Sequence, residues 1–374
     1  MTNNIGVNLR RFRKLNNYSQ QQLAEKAGIS RVAYRNIETG DSEPRPSNLN
    51  ALAAALGVSV FDLTEQVPKL ESLRFRSHKS LTTREQAQRE QISVEVANWL
   101  QDFNGLEEML GKRLSYKLKP IEENNIDPEQ AADEARAQLK LSCAKCIPDI
   151  CELLEKAGVK IFLIKSKLNK FFGLSVGEPD KGPAIAVNTD NSIPVERQIF
   201  TAAHELGHII LHGDSYISNQ LRENKIQEDE ANRFAGYFLM PRESFINIWK
   251  ENRGLHWVDS VLHTKRRFRV SYKTVLKRLI DMEMTDRGIY KKFNNSYRRR
   301  YNKILKYKEE PDLPKKKSEE PSRLDNVDFM EDRLNRLVRD ALDENLIGVS
   351  RAAEILKISI AEMRDLIREW EIFG

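Results

Sequence analysis

The sequence contains one short segment whose residue types and spacing are typical of a catalytic metal centre. His204-Glu205-Leu206-Gly207-His208 has the pattern H-E-x-x-H. Two histidines four residues apart lie on one face of an α-helix, so both imidazoles can bind the same cation. Glu205 lies beside that face, where its carboxylate can deprotonate a water molecule at the metal. The segment therefore predicts metal-assisted hydrolysis of a peptide bond, with His204 and His208 as ligands and Glu205 as the general base.

A tetrahedral catalytic zinc site needs a third protein ligand, which the next predicted helix can supply. Glu228 and Asn232 are four residues apart and share a helix face, so Glu228 can bind the metal while Asn232 hydrogen-bonds a ligating imidazole. Glu230 is the competing ligand, about 200° round the helix from Glu228. On a continuing helix His212 would lie about 12 Å from His204, too far to share one cation, so it is predicted to support the ligands from outside.

Two longer segments around these residues resemble one known family. The segments T-A-A-H-E-L-G-H-I-I-L-H at 201–212 and E-D-E-A-N-R-F-A-G-Y-F-L-M-P at 228–241 resemble the ImmA/IrrE metallopeptidases, and the likeness extends over about residues 75–290. Members are regulatory, gluzincin-like proteases that cleave a repressor. The resemblance implies that His204, His208 and a glutamate of E-D-E-A-N bind zinc, with Glu205 as the base. Members differ in metal preference, so another divalent metal is compatible with it.

A second functional segment lies at the start of the chain, where residues 5–64 have the pattern of short helices joined by tight turns. A first helix is predicted at 20–26 after the N-cap Ser19, and a second from Ser30 to about Glu38. This segment resembles the XRE family of Cro/C1-type repressors. The resemblance implies a helix-turn-helix that binds double-stranded DNA and forms a homodimer on paired half-sites.

The side chains of this segment are expected to divide between a core and a DNA-binding face. The N-terminal half of a recognition helix enters the major groove, where its side chains meet bases or phosphates. The residues predicted to contact DNA are Gln20, Arg31, Ala33, Tyr34 and Arg35. The residues predicted to form the core are Leu23, Ala24, Ile29, Val32, Ile37, Leu49, Leu52, Ala53 and Leu56.

Hydrophobic periodicity predicts a mainly α chain with a small β-sheet. Runs rich in β-branched residues at 159–164 and 184–188 predict strands, with a third candidate at 173–175. Helices are predicted to begin near residues 195 and 226. The expected architecture is an all-helical helix-turn-helix domain followed by an α+β, zincin-like metallopeptidase domain.

Composition and charge divide the chain further. Residues 309–325 are charged and rich in proline, which predicts a disordered linker. Segments 267–279 and 346–356 have a weaker helix-turn-helix-like sequence pattern and are interpreted as structural. The predicted parts are a helix-turn-helix domain at 1–65, a linker or connecting strand at 65–80, a metallopeptidase domain with a helical flank at 75–290, the charged linker, and a small helical module at 326–374.

The overall composition fits a globular protein of 374 residues with a net charge of +6. Three cysteines, Cys143, Cys146 and Cys151, are too few for a secreted disulfide framework and are expected to be ordinary thiols. There is no signal peptide and no apolar run of about 20 residues, so a cytoplasmic protein that does not bind membranes is expected. The block at 265–308 has 16 basic side chains against three acidic ones. It can meet phosphate or an acidic protein surface, or remain solvated.

Together these features predict a regulator that binds DNA through residues 1–65 and cleaves a partner repressor at the metal site. The alternative is a repressor or antitoxin without catalysis, whose peptidase-like domain senses or docks a partner. A self-cleaving repressor is a third interpretation, which predicts a fragment ending near 65–80. The full set of metal-binding residue types favours the enzyme.

Overall fold

The computed structural model describes residues 4–66, 70–75, 81–118, 127–142, 146–168, 170–216, 224–306, 309–311 and 324–373. The chain divides into two units. One comprises residues 1–70, 77–101 and 167–170, and the other residues 71–76, 102–166 and 171–374. The described residues are mainly helical with a small four-stranded sheet, which confirms the predicted fold class.

Short capped helices build the first unit. The Ser19 hydroxyl accepts a hydrogen bond from the Gln22 N–H, and the Gln22 side chain accepts one from the Ser19 N–H, which together start the second helix. Ser30 caps the third helix by accepting from the Ala33 N–H, and Gly40 ends it with a φ of 83°. The helices are α1 Asn4–Leu15, α2 Gln20–Lys26, α3 Arg31–Thr39, α4 Pro46–Leu56, α5 Val60–Thr64 and α6 Thr83–Met109, the last of which supplies residues to both units.

One apolar cluster forms the core of this first unit, and it contains every predicted core residue except Val32. The Val32 side chain is 68% exposed, so the prediction was wrong at this position. The inward face of α3 instead carries Tyr34, Ile37 and Glu38, which are buried. These residues are three and four positions apart and therefore share a helix face, whereas Val32 lies about 200° away from Tyr34.

A mixed sheet organises the second unit. Its strands β1 Leu73–Phe75, β2 Lys160–Ile164, β3 Gly173–Val176 and β4 Ala184–Asn188 lie in the order β1-β3-β4-β2. β2 and β4 are parallel, while β3 is antiparallel to both β1 and β4. The register places Ser175 opposite Arg74 on one side and Ile185 on the other. β1 lies in the segment predicted as a linker or connecting strand, and it is joined to the sheet through β3.

Helices pack against this sheet and against one another. α9 contacts β3 and β4 and also lies against α10, and α10 contacts α7. The helices of this unit are α7 Pro128–Gln138, α8 Ile150–Lys156, α9 Val195–Leu211, α10 Lys225–Leu239, α11 Arg242–Glu251, α12 Trp257–Phe268, α13 Tyr272–Asp281, α14 Ile289–Tyr301, α15 Arg333–Asp343, α16 Val349–Leu356 and α17 Ile360–Phe373, with 3₁₀ turns at Glu178–Asp180, Gly213–Tyr216 and Asn326–Asp328.

Two glycines allow α9 to approach its neighbours closely. A Cβ atom on Gly207 would lie 2.9 Å from Cδ1 of Phe234 on α10. A Cβ atom on Gly173 of β3 would lie 2.5 Å from Cγ2 of Thr201 on α9. Both distances are shorter than the optimal carbon–carbon separation of about 3.5–4.0 Å. Glycine at these two positions therefore allows the H-E-x-x-H helix to lie close to both the sheet and α10.

The two weaker helix-turn-helix-like segments are packed into the second unit. Val275, Leu276 and Leu279 of α13 are buried, as are Ala352 and Ala353 of α16. Most of the predicted linker at 309–325 lies outside the described residues, as do Cys143 and residues 217–223. Within the described part of the chain, no helix has both the length and the apolar composition needed to cross a bilayer.

Candidate metal centre

Three buried side chains from α9 and α10 converge on one point. His204 and His208 lie one turn apart on α9, and Glu228 lies in the first turn of α10. Nε2 of His208 is 3.1 Å from Nε2 of His204 and 3.2 Å from Oε1 of Glu228. Nε2 of His204 is 3.5 Å from Oε2 of Glu228. One nitrogen or oxygen atom from each side chain can therefore point to a common centre.

These separations lie within about 0.2 Å of those expected between the ligand atoms of a tetrahedral zinc ion. Nitrogen and oxygen ligands lie about 2.0–2.2 Å from zinc, which places the ligands of a tetrahedron about 3.3–3.6 Å from one another. Two histidines and one carboxylate are also a donor set that catalytic zinc sites use, with three protein ligands. The residues present therefore fit a divalent cation of this kind.

Burial and the contacts within the cluster together set its charge state. Burial lowers the pKa of His208 well below the ordinary value, so this ring is neutral, as a metal ligand must be. Burial alone would raise the pKa of Glu228, but its contacts with His204 and His208 outweigh burial and hold the pKa of that carboxyl well below its usual range. Arg74 on β1 adds a positive charge, with Nη2 3.7 Å from Oε1 of Glu228. The carboxylate is therefore ionised and can serve as a ligand.

Glu205 lies beside the cluster in a hydrogen-bond chain of its own. Ser175 Oγ on β3 donates to Oε2 of Glu205 at 2.6 Å, and the Tyr216 hydroxyl donates to Ser175 Oγ at 2.8 Å. Burial raises the pKa of Glu205. Burial also raises the pKa of Tyr216, so the phenol keeps its proton and acts as a donor. The chain fixes one oxygen of Glu205 and sets its direction.

A cavity opens beside His204 and Glu205. The predicted hydrogen bond from Asn232 to an imidazole of the cluster is not seen. The buried Nδ1 of His204 has no hydrogen-bond partner among the residues that the structure describes, and Nδ1 of His208 lies beside His212. Asn232 lines the cavity instead. Besides these residues, the lining consists of Phe172, Gly173, Arg197, Phe200 and Thr201.

His212 contacts the cluster from the side of His208, and Glu230 in turn contacts His212. His212 follows the last residue of α9 and is buried. Its Nδ1 lies 3.0 Å from Nδ1 of His208, and its Nε2 lies 3.0 Å from Oε2 of Glu230. Of the two glutamates that the sequence left open, Glu228 is the one beside both His204 and His208, while Glu230 contacts His212.

Sequence reasoning missed two residues of this site, Ser175 and Arg74. Each reaches the site only because β1, β3 and β4 pair in one sheet that packs on α9. No local spacing links Ser175 to Glu205, which is 30 residues away. The only available signal was the candidate strand at 173–175, which alone does not say which helix the strand covers.

In the helix-turn-helix unit, the structure separates the predicted DNA contacts into two groups. Arg31 and Arg35 are exposed on α3, and Ala33 between them is partly buried. Tyr34 is fully buried and donates a hydrogen bond to Oε2 of Glu38 at 2.5 Å, so the prediction that it contacts DNA was wrong. Gln20 is partly buried, and its Nε2 donates to Oε1 of Glu38 at 3.3 Å.

Comparison with known proteins matches two separate segments of the chain to known families. The fold and the cluster of His204, His208 and Glu228 define a helix-turn-helix protein that also carries a metallopeptidase-like domain. Residues 9–63 match a helix-turn-helix family model, and residues 154–280 match a peptidase family model described as an IrrE N-terminal-like domain. A curated relative is the SPbeta prophage-derived uncharacterized HTH-type transcriptional regulator YonR of Bacillus subtilis (strain 168). It is 33% identical over 93 residues, which are 22% of this chain and 85% of that protein. The chain belongs to the DNA-binding helix-turn-helix regulators that carry a domain of the ImmA/IrrE family.

Proposed function

We propose that this regulator is a zinc-dependent endopeptidase whose substrate is a repressor protein. The observation that carries the proposal is the convergence of His204, His208 and Glu228 on one point, with Glu205 beside them. The match of residues 154–280 to an IrrE N-terminal-like peptidase domain supports the same chemistry. The metal would be zinc, although the donor set also accepts other divalent ions of the first transition row.

The residues of the site divide the chemistry between them. His204, His208 and Glu228 would hold zinc, which supplies Lewis acidity that polarises a carbonyl and acidifies water. Glu205 accepts the proton of the attacking water and returns it to the leaving amine. Ser175 holds one oxygen of Glu205, which leaves the other oxygen for proton transfer.

The remaining parts of the proposal concern DNA and domain organisation. Residues 1–65 would bind double-stranded DNA as one half of a homodimer, with Arg31 and Arg35 in the major groove. Residues 75–290 would form the peptidase domain, followed by the linker at 309–325 and the module at 326–374. Cleavage of a repressor would then act on transcription near the site where the chain is bound.

The decisive experiment is incubation of the purified protein with the product of the adjacent gene. The expected result is a defined cleavage that a metal chelator abolishes and that added zinc restores. Glu205→Gln should retain zinc but lose cleavage, because the ligands stay and the base is lost. The matched control is Glu243→Gln on the exposed face of α11, which should cleave at the wild-type rate.

Metal content and the Glu205→Gln variant together can also exclude catalysis. If the protein holds no stoichiometric metal and Glu205→Gln leaves its regulatory effect in cells unchanged, the peptidase proposal fails. The chain would then be a regulator whose peptidase-like domain senses or docks a partner.

A further inference from the structure

We propose that Glu230 and His212 form a relay that holds the His208 ring in the tautomer able to bind a cation through Nε2. This inference rests on the metal site of the proposed function, and it assigns a role to Glu230. The relay consists of two contacts of 3.0 Å each, from His208 Nδ1 to His212 Nδ1 and from His212 Nε2 to Glu230 Oε2.

The direction of each hydrogen bond follows from the ligand role of His208. Its Nε2 faces the Glu228 carboxylate and the His204 ring, so a cation bound there takes the lone pair of Nε2. A neutral imidazole has one N–H, which must then be on Nδ1. That N–H donates to Nδ1 of His212, since a contact between two ring nitrogens needs one donor and one acceptor.

The same logic fixes the second step. His212 accepts at Nδ1, so its own proton is on Nε2 and donates to Oε2 of Glu230. The carboxylate at the end of the relay accepts hydrogen bonds only, which excludes the opposite order of donors and acceptors. Each proton position in the relay is therefore set by its neighbour, from the partly exposed Glu230 carboxylate to the buried His208 ring.

The positions of His212 and Glu230 in the fold bring the groups of the relay together. His212 follows the last helical residue of α9, with φ of −129° and ψ of 35°, and its ring nitrogen meets His208 one turn earlier. Glu228 lies in the first turn of α10 and Glu230 follows two residues later, so that Glu228 contacts the ligand cluster and Glu230 contacts His212. The Glu230 side chain is 38% exposed, whereas that of His212 is 5% exposed, so the relay runs from the surface inwards.

The two ligating imidazoles are therefore supported differently. His208 is hydrogen-bonded at Nδ1, whereas the buried Nδ1 of His204 has no partner among the described residues. Hydrogen-bonded partners of metal ligands contribute about 10–100-fold to metal affinity. The relay is thus expected to act on zinc binding through His208 alone.

The test is zinc affinity, measured by competition with a chelator of known affinity. His212→Leu should lower the affinity about 10–100-fold, because it removes the acceptor for His208 Nδ1–H. His212→Asn keeps an amide oxygen on a short side chain and should recover part of that loss. Glu230→Ala should weaken binding less than His212→Leu, and the matched control Asp229→Asn, an exposed acid on the same turn, should bind like the wild type.

Ring tautomers give a second readout that does not depend on affinity. Long-range ¹H–¹⁵N spectra of the zinc-loaded protein, which has six histidines, should show His208 protonated at Nδ1 and His212 at Nε2. A His212→Leu variant that folds normally and binds zinc as tightly as the wild type would overturn the relay. A wild type that binds zinc and shows these losses in its variants, but cleaves no repressor, would leave the relay standing and remove the peptidase.

Discussion

The hydroxyl of Ser175 lies 2.6 Å from Oε2 of Glu205 and accepts a hydrogen bond from the Tyr216 hydroxyl at 2.8 Å. This chain of hydrogen bonds links a strand and a 3₁₀ turn to the H-E-x-x-H helix. It ends on Glu205, the residue proposed as the general base. A base is effective when its oxygen stays within hydrogen-bond reach of the proton that it removes. Ser175 is therefore expected to be a positioning residue for Glu205.

The first prediction concerns Ser175→Ala. Loss of the hydrogen bond leaves the Glu205 carboxylate free to rotate, so kcat for repressor cleavage should fall roughly tenfold while KM changes little. Zinc affinity should stay unchanged, because Ser175 does not contact the ligands. Tyr216→Phe keeps the ring and removes only the donor to Ser175, so its effect should be smaller. Equal kcat in Ser175→Ala and the wild type would contradict the positioning role.

The second prediction compares two glycines on facing helices. Gly207→Ala places a Cβ atom 2.9 Å from Phe234, whereas a Cβ atom at Gly236 of α10 meets nothing within 4 Å. Overpacking of a core costs about 1–3 kcal/mol, and replacing a helical glycine by alanine stabilises by about 1 kcal/mol. Gly236→Ala should therefore raise the free energy of unfolding, and Gly207→Ala should lower it or leave it unchanged.

Zinc affinity separates this pair further. An α10 displaced by Gly207→Ala carries Glu228 away from the two histidines, so zinc binding should weaken in this variant and stay at the wild-type level in Gly236→Ala. Denaturant unfolding and chelator competition measure the two quantities. A Gly207→Ala variant that is more stable than Gly236→Ala would show that α9 and α10 do not need their close approach.

Local spacing predicted that His204, His208 and Glu228 come together, which the structure shows, but it predicted the surface of α3 less well. His204, His208 and Glu228 were accessible to sequence reasoning because two helical turns fix which side chains share a face. Tyr34 was assigned to the DNA-binding face because it lies in the N-terminal half of the predicted recognition helix, and Val32 was assigned to the core, whereas the structure buries Tyr34 and exposes Val32. The Tyr34 hydroxyl instead completes a polar cluster with Glu38 and Arg13, which composition alone does not reveal. Contacts that depend on strand pairing, such as Ser175 with Glu205, have no signal in local spacing.

The third prediction concerns DNA binding by α3. Arg31→Ala and Arg35→Ala should each weaken DNA binding by about 1–3 kcal/mol if the arginine contacts a base. If the arginine contacts phosphate instead, the slope of log K against log salt concentration should fall in magnitude by about one. Tyr34→Phe keeps the buried ring and loses the bond to Glu38, so it should lower stability and leave the affinity of the folded protein nearly unchanged. Fluorescence anisotropy on an operator selected from random DNA measures the affinities. Lys140→Ala, an exposed cation of the other unit, is the control. If Arg31→Ala and Arg35→Ala bind like this control, α3 is not the recognition helix.

The fourth prediction concerns the pH dependence of stability. Burial raises the pKa of Glu310 to about 7, although Lys265, with Nζ 3.7 Å from Oε2 of Glu310, acts in the opposite direction. Between pH 4.5, the ordinary pKa of this carboxyl, and about pH 7, Glu310 loses its proton in the unfolded chain but keeps it in the folded chain. The unfolded state therefore binds fewer protons, and the contribution of Glu310 to stability must fall as the pH rises through that window. Glu310→Gln carries no charge, so its Tm should exceed that of the wild type at pH 8, with the difference shrinking towards pH 5.

The neighbouring Glu309 provides a control, because its pKa is shifted in the opposite direction. Its ion pair with Lys303 lowers the pKa of this carboxyl, so its contribution is present above the ordinary pKa and is lost as the pH falls. Glu309→Gln should therefore not raise the Tm at pH 8. Thermal unfolding at several pH values between 5 and 8 measures both variants against the wild type. A Glu310→Gln variant whose Tm follows the wild type in parallel across this range would show that the carboxyl is ionised in the folded state despite its burial.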